Sequence, residues 1–323
     1  MSTNRTLRIG TRGSQLALWQ ANAVAALLKH SGHDIEIAII KTTGDRLQEV
    51  PLSEAGGKRL FVKEIEDALV GDEVDLAVHS AKDMPALLPD GLEIAAVLPR
   101  EDPRDAMVLP GGIAADGVAD IRRTLGASPT IGTGSVRRTA QLTAIFPRAS
   151  FAAIRGNVNT RLRKLDEGGY HALVLAAAGM RRLGLGARIS TALPIETCIP
   201  APGQGIVAIE IRGDDTRAKR ALAEIDDWSA RTSLDAERAL VNALGGGCQL
   251  PLGGIALHVG GELEMHAVVA SPDGRRAIKR RGRGSVADPG GLGRRLADEL
   301  ARDGATEILE SVRRAQGPVT DSH

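Results

Sequence analysis

The chain has 323 residues, enough for two or three domains that each bury a core, and its 43% hydrophobic and 25% charged residues are those of an ordinary folded domain protein. A formal net charge of +1 and an aromatic content of 2% argue against a bulk nucleic-acid or membrane binder, since both the positive field and the stacking rings are missing. Two cysteines, Cys198 and Cys248, make no disulfide framework and stand in no zinc-spaced cluster, and no run approaches 18 apolar residues, so the expectation is a cytoplasmic protein without metal.

The basic residues are lopsided: 33 of the 41 are arginine, so an isolated arginine means little and only its placement counts. Leu7-Arg8-Ile9-Gly10 reads as a strand, and Ser14 is an N-cap for a helix to about His30 whose Leu16, Trp19, Ala23 and Leu27 share one face. The turn between them, Thr11-Arg12-Gly13-Ser14, offers backbone N–H groups and a positive helix end to an anion, with Arg12 either pairing that anion or simply exposed. Residues 35–40 form a second strand. The loop that follows, as far as Gly56-Gly57, is long enough to be a lid. A helix over residues 60–70 carries Lys58, Arg59 and Lys63 at its start, where an anion or plain solvation accounts for them.

Val74-Asp75-Leu76-Ala77-Val78-His79-Ser80-Ala81-Lys82-Asp83-Met84-Pro85 is an apolar strand that ends abruptly in polar residues. In open α/β sheets ligands gather beyond the carboxyl ends of such strands, so Asp83 and Lys82 either sit at that mouth or cap and solvate a turn before Pro85. Residues 92–98 are another strand, and Arg100-Glu101-Asp102-Pro103-Arg104-Asp105 is a charged link into a second α/β unit. Residues 111–126 are weakly patterned.

Thr130-Ile131-Gly132-Thr133-Gly134-Ser135-Val136-Arg137-Arg138 repeats the strand, small-residue turn and helix. Arg137 occupies the third glycine position of a dinucleotide fingerprint and no acid follows at the required distance, so NAD is not expected and carboxylates suit the turn better. Phe151 to Arg161 repeats the design again through Arg155-Gly156-Asn157, and the strand at residues 172–176 runs into Gly179-Met180-Arg181-Arg182. Four strand ends therefore carry arginine, at Arg12, Arg137 with Arg138, Arg155, and Arg181 with Arg182. Such repetition points to a polyanionic ligand held by two α/β lobes. Pro200-Ala201-Pro202-Gly203-Gln204-Gly205 marks a boundary, followed by a strand at 206–211, helices at 215–225 and 229–244, and an α+β module with strands at 255–259, 262–270 and 276–281, helices from Pro289, and a loose tail after Gln316. Cys248, between Gly246-Gly247 and Gln249-Leu250-Pro251, is either a covalent attachment point or a loop cysteine without chemistry.

The motifs Gly10-Thr11-Arg12-Gly13-Ser14-Gln15-Leu16-Ala17, Gly57-Lys58-Arg59-Leu60-Phe61-Val62-Lys63-Glu64, His79-Ser80-Ala81-Lys82-Asp83-Met84-Pro85, Arg100 to Asp105, Arg155-Gly156-Asn157-Val158 and Gly246-Gly247-Cys248-Gln249 together resemble the porphobilinogen deaminase family over essentially the whole chain. The resemblance implies an α/β fold of two periplasmic-binding-protein-like lobes plus a small C-terminal α+β domain. Its divisions would be residues 1–104 with 203–225, 105–202 and 226–316, with 317–323 as tail. It implies a dipyrromethane cofactor joined by a thioether to Cys248. The substrate would be porphobilinogen, four molecules of which are condensed head to tail with loss of ammonia, before water frees hydroxymethylbilane. It also implies a monomer with no nucleic-acid or membrane partner.

By the same resemblance Asp83 is the central acid/base, stabilising the cationic azafulvene, with Arg12, Arg155 and Lys82 beside it in catalysis. Ser14, Ser80, Lys82, Asp83, Thr133, Ser135, Arg137, Arg138, Arg155 and Gly156 would cradle the cofactor. Arg12, Arg161, Arg182, Lys58, Lys63, Phe61 and Gln204 would meet substrate. Gly13 and Gly134 stand where some relatives carry larger or hydroxyl residues, which removes a side-chain contact at each turn. The rival is a non-catalytic anion receptor on the same two-lobe fold, which the glycine-flanked Cys248 disfavours.

Overall fold

The computed structural model describes residues 6–43, 62–246 and 250–316, so Lys58, Phe61, Cys248 and the 44–61 loop lie outside the described residues. Contacts divide the chain into two compact units, Met1–Glu101 with Ile206–Thr232, and Asp102–Gly205 with Ser233–His323.

The first unit is built on β1 (Leu7–Thr11), β2 (Ile35–Ile39), β3 (Leu76–Ser80), β4 (Leu92–Val97) and β10 (Val207–Arg212), in the order β2-β1-β3-β10-β4. The first three are parallel, and β10 runs antiparallel to both β3 and β4. Helix α1 (Gln15–His30) packs Ala21, Val24, Ala25 and Leu28 against Leu76, Val78, Val207 and Ile209. Helix α2 (Lys63–Val70) puts Ile65 and Leu69 against Ala77 on the opposite face.

The buried stripe of α1 is Ala17, Gln20, Ala21, Val24, Ala25 and Leu28, while Trp19 and Leu27 stay 41% and 42% exposed. The expected face of Leu16, Trp19, Ala23 and Leu27 is thus displaced by one residue around the helix. Both stripes are apolar, and the alanine-rich one allows the closer approach to the sheet.

The second unit contains β5 (Asp105–Val108), β6 (Thr130–Gly132), β7 (Ser150–Ala152), β8 (Ala172–Ala176) and β9 (Thr191–Ala192), ordered β7-β6-β8-β5-β9. The pattern of the first sheet returns: three parallel strands, then an antiparallel one between the third and the edge. In the first sheet the antiparallel strand comes after the chain's excursion, and in the second it precedes the parallel strands. The helices are α3 (Gly117–Leu125), α4 (Val136–Thr143), α5 (Val158–Asp166) and α6 (Ala177–Arg182). Helix α3 falls in the stretch expected to be weakly patterned; Ile121, its one fully buried residue, suffices to seat it.

The same unit includes an antiparallel sheet of β11 (Leu252–Val259), β12 (Glu262–Ala270) and β13 (Ala277–Ser285). Ala236 and Leu240 of α8 (Trp228–Ala243), Leu296 and Leu300 of α9 (Pro289–Arg302), and Leu309 of α10 (Ala305–Gln316) close its core over Leu263 and Met265. Helix α7 (Thr216–Ala223) covers the first sheet with Ala218 and Leu222. Among the described residues no helix is long and apolar enough to cross a membrane, and no group of three His, Cys, Asp or Glu is placed to hold a metal ion.

Candidate functional site

In the first unit, Ile9 pairs with Leu76 and Gly10 with Ala77, so the chain leaves the carboxyl ends of two adjacent parallel strands side by side. The two turns wall a hollow lined by Arg12, Ser14, Leu16, Ala17, Gln20, Val62, Val78, His79, Ser80 and Asp83. Ser14 caps α1, its Oγ accepting from the Ala17 N–H at 3.3 Å. The first turn of that helix has no acidic side chain, so its positive end faces the hollow uncompensated from within. Ser80 Oγ accepts from Gln20 Nε2 at 2.8 Å, which explains why a glutamine sits in the buried stripe of α1.

After β3 the chain makes one short 3-10 turn, Ala81–Asp83, that leaves the Asp83 side chain exposed. Its carboxylate makes no hydrogen bond or ion pair among the described residues, so it caps nothing and is available to a ligand in the hollow. Lys82 beside it is half-buried.

The second unit presents the repeated turns. Thr133 Oγ1 accepts from the Ser135 N–H at 3.2 Å, and Ser135 Oγ accepts from the Arg138 N–H at 3.4 Å as the N-cap of α4. Asn157 Oδ1 accepts from the Thr160 N–H at 2.9 Å to cap α5. Gly156 between the strand and that cap has φ +104, and a Cβ there would stand 2.8 Å from Thr160 Cγ2, so glycine is required twice over. Arg161 Nε donates to the Gly156 carbonyl at 2.8 Å and Arg182 donates to the Gly205 carbonyl at 2.7 Å. Arg155 is half-exposed and has no partner among the described residues.

Arg137 and Arg138, expected to meet a ligand's carboxylates from this turn, are 4% and 7% exposed. Arg137 donates to Asp105 Oδ2 at 2.7 Å and Oδ1 at 3.2 Å, and to the Ile199 carbonyl at 2.7 Å. Arg138 donates through Nε to Asp105 Oδ1 at 2.9 Å and to the Val174 carbonyl at 2.9 Å. Asp105, the first residue of β5, thus holds both guanidinium groups, because α4 lies against the strand that begins with it. Desolvation alone would raise the Asp105 carboxyl, but the charges and hydrogen bonds of the two arginines override it and hold the group far below the usual carboxylate range. Two cations against one anion leave one net positive charge buried.

Gln204, expected to meet substrate, is buried instead. Its Nε2 donates to the Pro103 carbonyl at 2.6 Å and to Asp105 Oδ1 at 3.0 Å, bracing the same cluster. Lys63 donates to Asp67 at 2.7 Å along the outside of α2. Cys198 is fully buried, and its thiol contacts Asp105 at 3.3 Å. Burial and then the Asp105 charge push that thiol up to about 12, so it stays protonated and unreactive at neutral pH. Asp105, Gln20 and His79 were not singled out by sequence patterning. Gln20 and His79 are polar residues inside apolar stretches, the one local signal they give, whereas Asp105 merely ends the charged run that begins at Arg100.

A family model described as porphobilinogen deaminase, dipyromethane cofactor binding domain, matches residues 7–220, and one described as porphobilinogen deaminase, C-terminal domain, matches residues 232–302. A porphobilinogen deaminase of Acidithiobacillus ferrooxidans is 48% identical over 312 residues, 96% of this chain and 99% of the relative. One of Syntrophobacter fumaroxidans is 46% identical over 315 residues, 97% and 100% of the two chains. Among solved structures, the methionine binding protein MetQ superposes with a TM-score of 0.44 at 12% identity, covering 71% of this chain and 91% of that one.

Proposed function

The chain belongs to the porphobilinogen deaminase family and is a transferase of tetrapyrrole biosynthesis with a dipyrromethane cofactor-binding domain, and we propose that Asp83 is the group at which its chemistry is controlled. The reaction joins porphobilinogen units head to tail with loss of ammonia at each addition. The observation that carries the proposal is the exposed Asp83 carboxylate, without a protein partner among the described residues, in a hollow it shares with Arg12 and the capped start of α1.

Each pyrrole presents a ring N–H and two carboxylates, and the described residues fit that pattern by charge. Asp83 accepts the N–H hydrogen bond and stabilises the positive charge that develops as ammonia departs. The same carboxylate moves the proton that leaves the pyrrole carbon after the new bond forms. The acid side chains are assigned to Arg12 and Lys82 and to Arg155, Arg161 and Arg182, each a cation of the kind that pairs with a carboxylate. Thr133, Ser135 and Gly156 shape the turns from which Arg155 and the two buried arginines act. The net positive charge of the Arg137, Arg138 and Asp105 cluster favours a nearby carboxylate, and Gln204 donates to the same Asp105. The bound dipyrromethane supplies the pyrrole carbon on which chain growth starts.

The tether assigned to the cofactor is Cys248. Cys198 is unsuited, being fully buried with its thiol held protonated. Lys58, Phe61 and Lys63 are assigned to the edge of the site, and the enzyme is taken to act as a cytoplasmic monomer with the domain divisions 1–104 with 203–225, 105–202 and 226–316. Intact-protein mass spectrometry tests the tether: a mass increase of one dipyrromethane is expected in the wild type and in Cys198→Ser, and its loss in Cys248→Ser. An unmodified Cys248 in freshly purified, active protein would sink the assignment.

A further inference from the structure

His79 and Glu210 face each other across β3 and β10, with His79 Nε2 3.2 Å from Glu210 Oε2 and side chains only 3% and 0% exposed. The approach is close enough for an ion pair but off the line of a hydrogen bond. Among the described residues neither Glu210 oxygen nor His79 Nε2 has a hydrogen-bond partner. Buried polar atoms are nearly always satisfied, so three such atoms at one place need an explanation. Stability does not provide it: exchanging a buried ion pair for well-packed apolar side chains is commonly neutral or stabilising, and the surrounding strands are built from Leu, Ala, Val and Ile.

The place of the pair in the fold provides one. Three successive residues at and just beyond the end of β3 each meet a neighbouring element. His79 Nε2 stands 3.2 Å from Glu210 Oε2 on β10; Ser80 accepts from Gln20 of α1 at 2.8 Å; the Ala81 N–H donates to the Ile206 carbonyl, just ahead of β10, at 3.0 Å. The chain then turns once and delivers Asp83. His79 is also one of the residues that line the hollow containing Asp83.

We propose that His79 and Glu210 are a positioning pair, which fixes the end of β3 so that Asp83 stands at the correct height in the hollow; the proposal rests on the role given to Asp83 above. Misplacement of a reacting group by about 1 Å costs on the order of 100-fold in rate, whereas it leaves binding of a carboxylate-rich substrate by the arginines largely intact. The pair therefore acts on kcat and not on KM.

The test uses the full-length, cofactor-loaded enzyme with porphobilinogen, comparing His79→Gln, Glu210→Gln and the double variant, with intact mass confirming that each is loaded and circular dichroism that each is folded. Each single change is expected to lower kcat about tenfold with KM within about twofold, and the double variant is expected to be no worse than the poorer single one, because the two residues act as a unit. Where a single variant does not fold, the double variant, which leaves no lone buried charge, is compared directly with wild type and must show the same loss in kcat. Unchanged kcat, losses that multiply in the double variant, or a loss that only follows the unfolded fraction would each overturn the pair. Asp83→Asn run alongside separates the two ideas. If it remains active, the reading of the site fails; if it is inactive while His79→Gln keeps full kcat, only the pair fails.

Discussion

Replacing Asp105 by Asn removes the carboxylate that, among the described residues, is set against the guanidinium groups of Arg137 and Arg138. The substitution keeps the volume and one acceptor oxygen, yet four charged contacts, at 2.7 and 3.2 Å to Arg137 and 2.9 and 2.8 Å to Arg138, lose their Coulomb component together. Removing one side of a buried pair costs about 3–5 kcal/mol, and here it strands two cations. With a urea dependence of about 2 kcal/mol/M, the unfolding midpoint should fall by about 1.5–2.5 M. The pH dependence has a definite sign. The folded-state carboxyl lies far below its ordinary value of 3.8, so its contribution is complete above that value and is lost progressively as pH drops below it. Asp105→Asn should therefore abolish part of the acid-side slope of the wild-type stability curve while lowering the neutral plateau. Urea titrations followed by circular dichroism from pH 7 down to pH 3 measure both. A midpoint within about 0.5 M of wild type, which is about 1 kcal/mol, would refute the claim that this carboxylate holds the second unit's arginines in place.

The remaining expectations concern the turns. Asp83→Asn should eliminate turnover of porphobilinogen while moving the urea midpoint by less than about 0.5 kcal/mol in stability, because an exposed group without a partner supports no packing; near-normal activity would contradict the role assigned to it. Arg155→Leu should raise KM about 10- to 100-fold through loss of one charge-assisted hydrogen bond worth about 1.5–3 kcal/mol, and an unchanged KM in steady-state kinetics would count against carboxylate binding there. Gly156→Ala should destabilise by about 1–3 kcal/mol from the positive φ alone, read as a lower urea midpoint, whereas Gly134→Ala should be nearly neutral, since a Cβ at Gly134 meets only the Ile154 carbonyl at 3.4 Å.

Much of the local design was legible in the chain. Ser14 caps the helix that its position announces, and the structure shows Ser135 and Asn157 doing the same at the two later turns, because an N-cap needs only its own side chain and an N–H three residues on. The strand ends at Arg12, Asp83, Arg137, Arg155 and Arg182 were legible for the same reason: an apolar run stopping at small and polar residues is a property of a dozen neighbours. Those signals determined which segments are strands and helices and which turns carry charge.

Other features depend on residues far apart in sequence, and no local signal encodes them. Strand β10 enters the first sheet between β3 and β4, which brings Glu210 against His79; β5 enters the second between β8 and β9, which lays Asp105 under α4. The turn arginines at 137 and 138 therefore face inward, a direction set by the carboxylate they meet and not by their own neighbours. Likewise α1 offers two apolar stripes, and packing selected the one whose alanines permit close approach and whose Gln20 reaches Ser80. The sequence by itself determined the elements, their caps and the presence of a carboxylate among many arginines; the tertiary structure decided which of those charges are tied to one another inside the protein and which, like Asp83 and Arg155, have no partner among the described residues. The physical reason is range: capping and periodicity act over one or two turns of chain, whereas charge compensation in a desolvated interior depends on whichever strand is laid alongside.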